Sequence, residues 1–467
     1  MIYQDFDSSA AANRSIGIGE RQLGYDGDIN ERRYQTGSMK YSYLFLLVSI
    51  FLGGCSGMSI GDVSRASSEG IPSKQVIELS PTTTLRLETH PTSNPTLTPT
   101  PTRTATITPT AITEINTLSY GPIYFPEGIN PLTGIPVGDQ QILERRPIVI
   151  KVTNFPRSVR PQWGLSKADH VYEYYIGDNM SRFVGIFYGE DAERVGPIRS
   201  ARLFDRHIMR LYNAIFVFGW ADDPILEFLI TPELKRRLIV ERGDNCPPLC
   251  RIGPAGAYNN LFINTNQIGA YLAGRKTDNE RPDLSGLRFE AGIPKGGHTA
   301  SKLFIEYSAV SYHFWEYDPK TQRYLRNQES ADRVGAATRY EAITDSLTGE
   351  QLATDNILVL LIPHEYYYKS SDTEIIEQLI QGEGKGYALR DGQVYPIIWK
   401  HDSPYAMFNF TLPDNTLYPL KPGNVWFEIV SDASLIEQLE VKSWGIKFVM
   451  PEIYSEEMMD LTSPGPP

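Results

Sequence analysis

Gly196-Pro197-Ile198-Arg199-Ser200-Ala201-Arg202 is the segment whose residue types and spacing come nearest to a chemical site. Gly-Pro ends a loop, and Ser200 has the chemistry of a helix cap. Helix N-termini present unpaired N–H groups, and Arg199 and Arg202 add planar guanidinium forks. Together these predict an anion site for carboxylate or phosphate. The competing expectation is that both arginines neutralise internal carboxylates such as Glu173. Arg206 and Arg210 extend the row at helical spacing and are expected on a solvated face.

Asp169 and Glu173 invite a carboxylate-pair reading for glycan hydrolysis. Their segment reads as strand, where four residues span about 13 Å, whereas glycosidase carboxylates sit about 5–9.5 Å apart. Each therefore needs a partner such as Asp205, Asp222 or Asp223, or else pairs structurally with Arg182 or Arg199. No metal motif is present: three tyrosines follow His364-Glu365, where a zinc-protease helix needs a second histidine. Nucleophile elbows and phosphate loops are absent too, so no metal and no cofactor is expected. Gly382-Glu383-Gly384-Lys385-Gly386 is read as a turn. Cys246 and Cys250 suit a disulfide closing a tight loop in an exported protein, with free thiols the alternative.

Cys55 has a different use. Tyr41–Phe51 is an eleven-residue apolar run preceded by Met39-Lys40 and followed by Leu52-Gly53-Gly54-Cys55. Spanning a bilayer takes about twenty residues, so the run fits a signal-peptide core. Leu-Gly-Gly-Cys resembles the bacterial lipobox, whose cysteine is diacylated. Residues 39–55 are thus the expected signal peptide and Cys55 the expected lipid anchor, placing the protein on the extracytoplasmic face of the membrane. Residues 1–38 read as a start assigned too early, with Met39 the true start, or as a disordered extension. Residues 56–119, centred on PTSNPTLTPTPTRTATITPT, read as a disordered Ser/Thr/Pro linker with a coil span of about 40–50 Å.

The elements that must position the candidate residues begin near Tyr120, in a chain of 467 residues with 27 Tyr, 19 Phe and 6 Trp. Ile148–Thr153, Val171–Ile176, Phe183–Tyr188 and Ile215–Phe218 read as strands, and Ser200–Tyr212 and Pro224–Leu238 as helices. Beyond Lys295 the reading is mostly strands: Ser311–Tyr317, Arg323–Arg326, Tyr387–Arg390, Gln393–Ile398 and Val425–Val430. Asp391-Gly392 gives a hairpin turn. The fold class expected is α+β, a mixed α/β N-terminal module (120–290) packed with a β-rich antiparallel C-terminal module (295–435) and a tail (436–467). A net charge of −12 speaks against nucleic acid as a partner.

Several motifs run through these modules: Asn130-Pro131-Leu132-Thr133-Gly134, Arg160-Pro161-Gln162, Ala168-Asp169, Val171-Tyr172-Glu173, Ser181-Arg182-Phe183, Gly196 to Arg202, Tyr324-Leu325-Arg326 and Pro422-Gly423-Asn424-Val425-Trp426. The pattern resembles the YerB family of bacterial lipoproteins, whose two domains are of unknown function. The resemblance implies an envelope lipoprotein and no established activity. The chain departs from the family pattern at Gly219-Trp220-Ala221, at Tyr258-Asn259-Asn260 and at Ile397-Ile398-Trp399.

Binding is therefore the first functional expectation: a tethered protein recognising an envelope glycan, peptide or anion. Asn154, Arg160, Gln162, Asp169, Glu173, Arg182, Arg199, Ser200, Arg202 and Asn260 are its candidate residues, and the deciding observation is whether Asn154, Arg160, Glu173, Arg182, Arg199 and Asn260 converge in one cleft. A hydrolase using Asp169 or Glu173, or an assembly partner, is the alternative.

Overall fold

The computed structural model describes residues 119–242, 245–254, 257–369 and 373–451. Cys55, the expected signal peptide, the extension before it and the linker up to residue 118 lie outside the described residues. Among the described residues no helix is long and apolar enough to cross a membrane.

The N-terminal half supplies strands β1 (Ile148–Val152), β2 (His170–Gly177) and β3 (Met180–Phe187), helix α1 (Leu203–Leu211), strand β4 (Ile215–Phe218), helix α2 (Asp223–Leu229) and strand β5 (Leu238–Val240). The C-terminal half adds β6 (Lys302–Glu306), β7 (Tyr312–Asp318), β8 (Arg323–Glu329), β9 (Asn356–Ile362), β10 (Gly382–Arg390), β11 (Gln393–His401), β12 (Val425–Ser431), β13 (Leu435–Glu440) and β14 (Ser443–Lys447). One large sheet runs in the order β11-β10-β9-β12-β2-β3-β1-β4-β5, and a second in the order β8-β7-β6-β14-β13.

The two halves share the large sheet. β12 lies parallel between β9 of its own half and β2 of the other. Its sequence, VWFEIVS, is buried at every position, as is His170–Gly177. Runs apolar on both faces must be central and covered on both sides. One face packs Val149, Tyr172 and Val184 against Phe204, Ile208 and Leu211 of α1. The other packs Ile150, Val171 and Phe183 against Leu303, Ile305, Trp315 and Tyr324 of the second sheet. The result is three layers: helices, large sheet, second sheet.

Several local expectations change. α1 starts at Leu203, because Arg199 N–H donates to Lys151 O and Ala201 N–H to Trp220 O, which holds Arg199–Ala201 extended. The N-cap is Arg202, whose N–H binds Asp205, while the Ser200 carbonyl accepts from Arg182. α2 stops at Leu229 because Pro232 disfavours helix in the residue before it, and Leu238 opens a strand. Gly382–Gly386 is strand, not turn. A side chain at Gly384 would meet the Trp399 ring at 2.6 Å, so glycine makes room for the indole. Residues 436–447, expected within a tail, instead form most of the β13–β14 hairpin, and β14 pairs parallel with β6. Asp391 and Gly392 have positive φ, 52° and 72°, as the β10–β11 hairpin turn requires.

Candidate functional site

Four strands of the large sheet and one of the second each carry a charge through an apolar stretch, and these charges form two clusters. The first lies between the sheets. Glu173 of β2 and Glu428 of β12 stand directly opposite each other in the parallel register, both fully buried. Like charges so placed repel. Arg326 of β8 answers them: its guanidinium lies 2.6 Å from Glu173 Oε2 and 3.6 Å from Glu428 Oε1. The rings of Phe183, Trp315 and Trp426 surround it at 5.3, 5.1 and 4.8 Å. Trp315 Nε1 and Tyr307 OH donate to Glu428, and His313 Nε2 lies 2.8 Å from it. Burial raises the Glu428 carboxyl to about 7 and lowers His313 to about 3.

Three candidates belong to this interior. Asn154 donates to Ser181 and receives from Arg160, which also binds Glu329 at 2.7 Å; Ser181 in turn donates to Glu173. Glu173, Glu428 and His313 bring potential metal ligands within 4.8 Å of one another. Arg326 already supplies the cation there, so the group reads as an ion-paired seam joining the sheets. Glu173 has no exposed surface and pairs with neither Arg182 nor Arg199, so it has no path to a polymer substrate.

The second cluster is on the helix side, at the carboxyl ends of the parallel strands β1 and β4. Lys151 is fully buried and pairs with Asp205 at 2.9 Å, with the Tyr174 hydroxyl between them. Burial brings its ammonium down to about 7 against the pull of Asp205. Arg182, opposite Tyr174 in register, donates to Ser200 O at 2.9 Å. Its guanidinium is lowered to about 9 by burial first, then by Arg202 and Arg199. Arg182 and Arg199 make no ion pair among the described residues, and Arg202 reaches only Asp222, at 4.0 Å. Four cations thus share one close carboxylate.

Gly196–Arg199 is threaded to fix this geometry. Thr153 N–H donates to Pro197 O, Ile198 N–H to Leu261 O and Gly219 N–H to Arg199 O. At Gly196 φ is 145°, and a side chain would meet Leu261 O at 2.9 Å. Arg199 and Ser200 line an open cavity of about 150 Å³ with Arg251, Trp220 and Tyr258. Trp220 and Tyr258 are 57% and 86% exposed, an aromatic rim that leaves their faces available. Asn260 stands beside the cavity, receiving from Arg251, which also holds Glu241. Both rim aromatics lie where the sequence departs from the family pattern.

The remaining candidates lie elsewhere, so the candidate residues occupy separate places rather than one cleft. Gln162 is buried and donates to Thr153 O. Asp169 accepts from Asn130 and from the Tyr188 and Gly189 N–H groups, and burial raises it to about 6. It lines a cavity of about 630 Å³ with Asp139, Glu190, Asp191 and Asp355. Those acids are answered at home: Glu190 by Lys167, Asp191 by Arg145, Asp355 by Arg323 and Lys421, while Asp139 caps Gln141 N–H. Cys246 and Cys250 are joined in a disulfide.

Residues missed from sequence had a visible signal. Lys151 in IVIKV and Glu428 in VWFEIV are single charges inside buried strands, as is the candidate Glu173 in VYEYYI, and such charges must be paired. Which partners they take depends on layers that meet only in space.

Residues 132–278 and 303–427 match the N-terminal and C-terminal domains of a protein of unknown function, DUF3048. YerB of Bacillus subtilis (strain 168), named as a lipoprotein, is 26% identical over 313 residues, 65% of this chain and 86% of its own. The crystal structure of YerB protein from Bacillus subtilis matches with a TM-score of 0.55 at 24% identity, covering 65% of this chain and 96% of that one. Both domains, in the same order and with the same fold, place this chain in the YerB family.

Proposed function

We propose that this chain is a lipid-tethered receptor whose folded part holds an anionic envelope component, carried on a glycan or peptide, at Arg182, Arg199 and Arg202, beside the Arg251–Glu241 pair. The observation that carries this reading is that Arg182 and Arg199 make no ion pair among the described residues and Arg202 reaches only Asp222, at 4.0 Å, on a chain whose net charge is −12. Guanidinium forks match carboxylate and phosphate, and a stacked ring of Trp220 or Tyr258 suits the flat face of a sugar. Asn260, through Arg251, orients one fork. Catalysis is not part of the proposal: Glu173 is enclosed and paired with Arg326, and Asp169 is held by Asn130 and two backbone N–H groups.

Arg182→Gln with Arg199→Gln is the test. These cations repel one another and are partly buried, so removing them leaves the melting temperature unchanged or raises it. A ligand at a hundred times its Kd stabilises the parent by about 2.7 kcal/mol, and that shift disappears in the variant. Muropeptides, acidic oligosaccharides and phosphate serve as probes in melting scans. A parent that no anion stabilises, with a double variant that melts more than about 5 °C lower, would overturn the reading; a shift of that size corresponds to about 1 kcal/mol or more.

Tethering is the second part of the proposal. Cys55 carries the lipid, residues 39–55 are the signal peptide, and the Ser/Thr/Pro-rich residues 56–119 space the folded part from the extracytoplasmic membrane face. Naming of the Bacillus relative as a lipoprotein supports this. Cys55→Ala is expected to abolish fatty-acid labelling and release the protein from membranes. Labelling that persists in the variant would remove the anchor from Cys55.

A further inference from the structure

A second cationic surface lies at the free edge of the large sheet. Strand β5 is the last strand on that side, and beside it Lys235, Arg236, Arg242 and Arg275 line an open groove of about 580 Å³ with Leu238 and Tyr271 on its wall. All four cations are exposed, none makes an ion pair among the described residues, and no described carboxylate lines the groove. On a chain of net charge −12, such a groove is the opposite of the average surface.

The edge strand is not free to receive another strand. Arg275 donates to the carbonyl of Leu238 at 3.0 Å, and Asn245 donates to that of Val240. Addition of an extended peptide by backbone pairing would have to displace both. What remains unpartnered is charge, spread over three chain segments around a concavity several times the size of one phosphate. A flat bilayer would not reach into a concave wall, whereas a linear chain of anions can lie along it.

We propose that this groove binds a linear polyanion with repeating phosphate groups, separately from the single-anion site at Arg199. Binding of this kind releases counterions, so affinity falls steeply with salt, by a log–log slope of about −0.7 for each phosphate neutralised on a single chain. The probe is inorganic polyphosphate, titrated into the purified full-length chain carrying Cys55→Ala over a range of salt. Lys235→Glu, Arg236→Glu and Arg242→Glu together are expected to weaken binding more than 100-fold and to flatten the salt slope by about 2. Arg182→Gln with Arg199→Gln is expected to leave polyphosphate affinity within about threefold, which separates this proposal from the receptor reading. Should the triple variant fail to fold, Lys235→Gln with Arg236→Gln, and Arg242→Gln alone, must each weaken binding and reduce the slope. Polyphosphate that does not bind, or binds equally to these variants, overturns the proposal. So does saturation by orthophosphate at the same site with equal affinity, which would mark a single-anion pocket. Tighter binding to phosphatidylglycerol vesicles than to polyphosphate overturns it in favour of a membrane-docking face.

Discussion

Arg326→Met is expected to lower the free energy of unfolding by about 3–5 kcal/mol, a large part of the roughly 5–15 kcal/mol that holds a typical domain. The guanidinium is the cation between Glu173 and Glu428, which face each other across a parallel strand pair with no exposed surface. Removing it leaves two buried carboxylates opposed and forces protonation or exposure. Methionine fills much of the aromatic cage left by Phe183, Trp315 and Trp426, so the loss reports charge rather than volume. Adding Glu173→Gln and Glu428→Gln to the variant is expected to recover most of the stability, since a neutral interior no longer needs the cation. Urea unfolding of the parent, single and triple variants measures both steps. A loss below about 1 kcal/mol for Arg326→Met, in the range of an exposed pair, would mean that the seam is not closed to water.

Glu428 is expected to make the fold less stable as pH rises from about 4.5 to about 7. The folded carboxyl is raised to about 7 from its ordinary 4.5, chiefly by burial. Between these values the folded state keeps a proton that the unfolded chain has lost, so stability falls with pH and the penalty is complete above 7. The size is at most about 3 kcal/mol, at 1.36 kcal/mol per unit of pKa. Buried histidines act in the opposite sense. His170 and His364 are lowered to about 4 and His313 to about 3, so they favour folding as pH rises towards 6.5. For His170 the cause is burial, which outweighs the bond from Nε2 to Leu132 O that favours the charged ring. The comparison with Glu428→Gln cancels the shared contributions of His170 and His364, which lie away from the substitution. The variant is expected to gain on the parent steadily from pH 4.5 to 7 and to hold that gain above it. A difference that stays level from pH 5 to 7 would place the Glu428 proton elsewhere.

These two expectations concern a rigid interior, while both proposed binding surfaces lie outside it. Arg199 sits at the carboxyl ends of β1 and β4, where open sheets commonly leave a crevice. The polyanion groove lies at the sheet edge, beyond β5. Charge is used differently in each place. Between the sheets every described carboxylate has a partner and contributes order; outside the interior, Arg199 and the groove cations make no ion pair among the described residues.

Local pattern determined much of this protein. Apolar runs located Ile148–Val152, His170–Gly177, Ile215–Phe218 and Val425–Ser431 to within a residue, because burial of one or both faces leaves its period in the sequence, but Lys302–Glu306 and Asn356–Ile362 went unread. Asp391-Gly392 identified its hairpin, because few other residues accept positive φ at both turn positions. The lone charges in IVIKV, VYEYYI and VWFEIV were equally visible as charges that must be answered. Their partners were not. Arg326 meets Glu173 across 153 residues, and Glu428 meets Glu173 only because β12 is inserted beside β2 in one shared sheet. Strand order of that kind is set by which faces bury together, a property of the whole assembly that no window of residues contains. The separation of Glu173 from Arg199 follows from the same physics. Side chains on a strand alternate between faces, so the sheet itself divides the candidates into an enclosed seam on one side and an open anion site on the other.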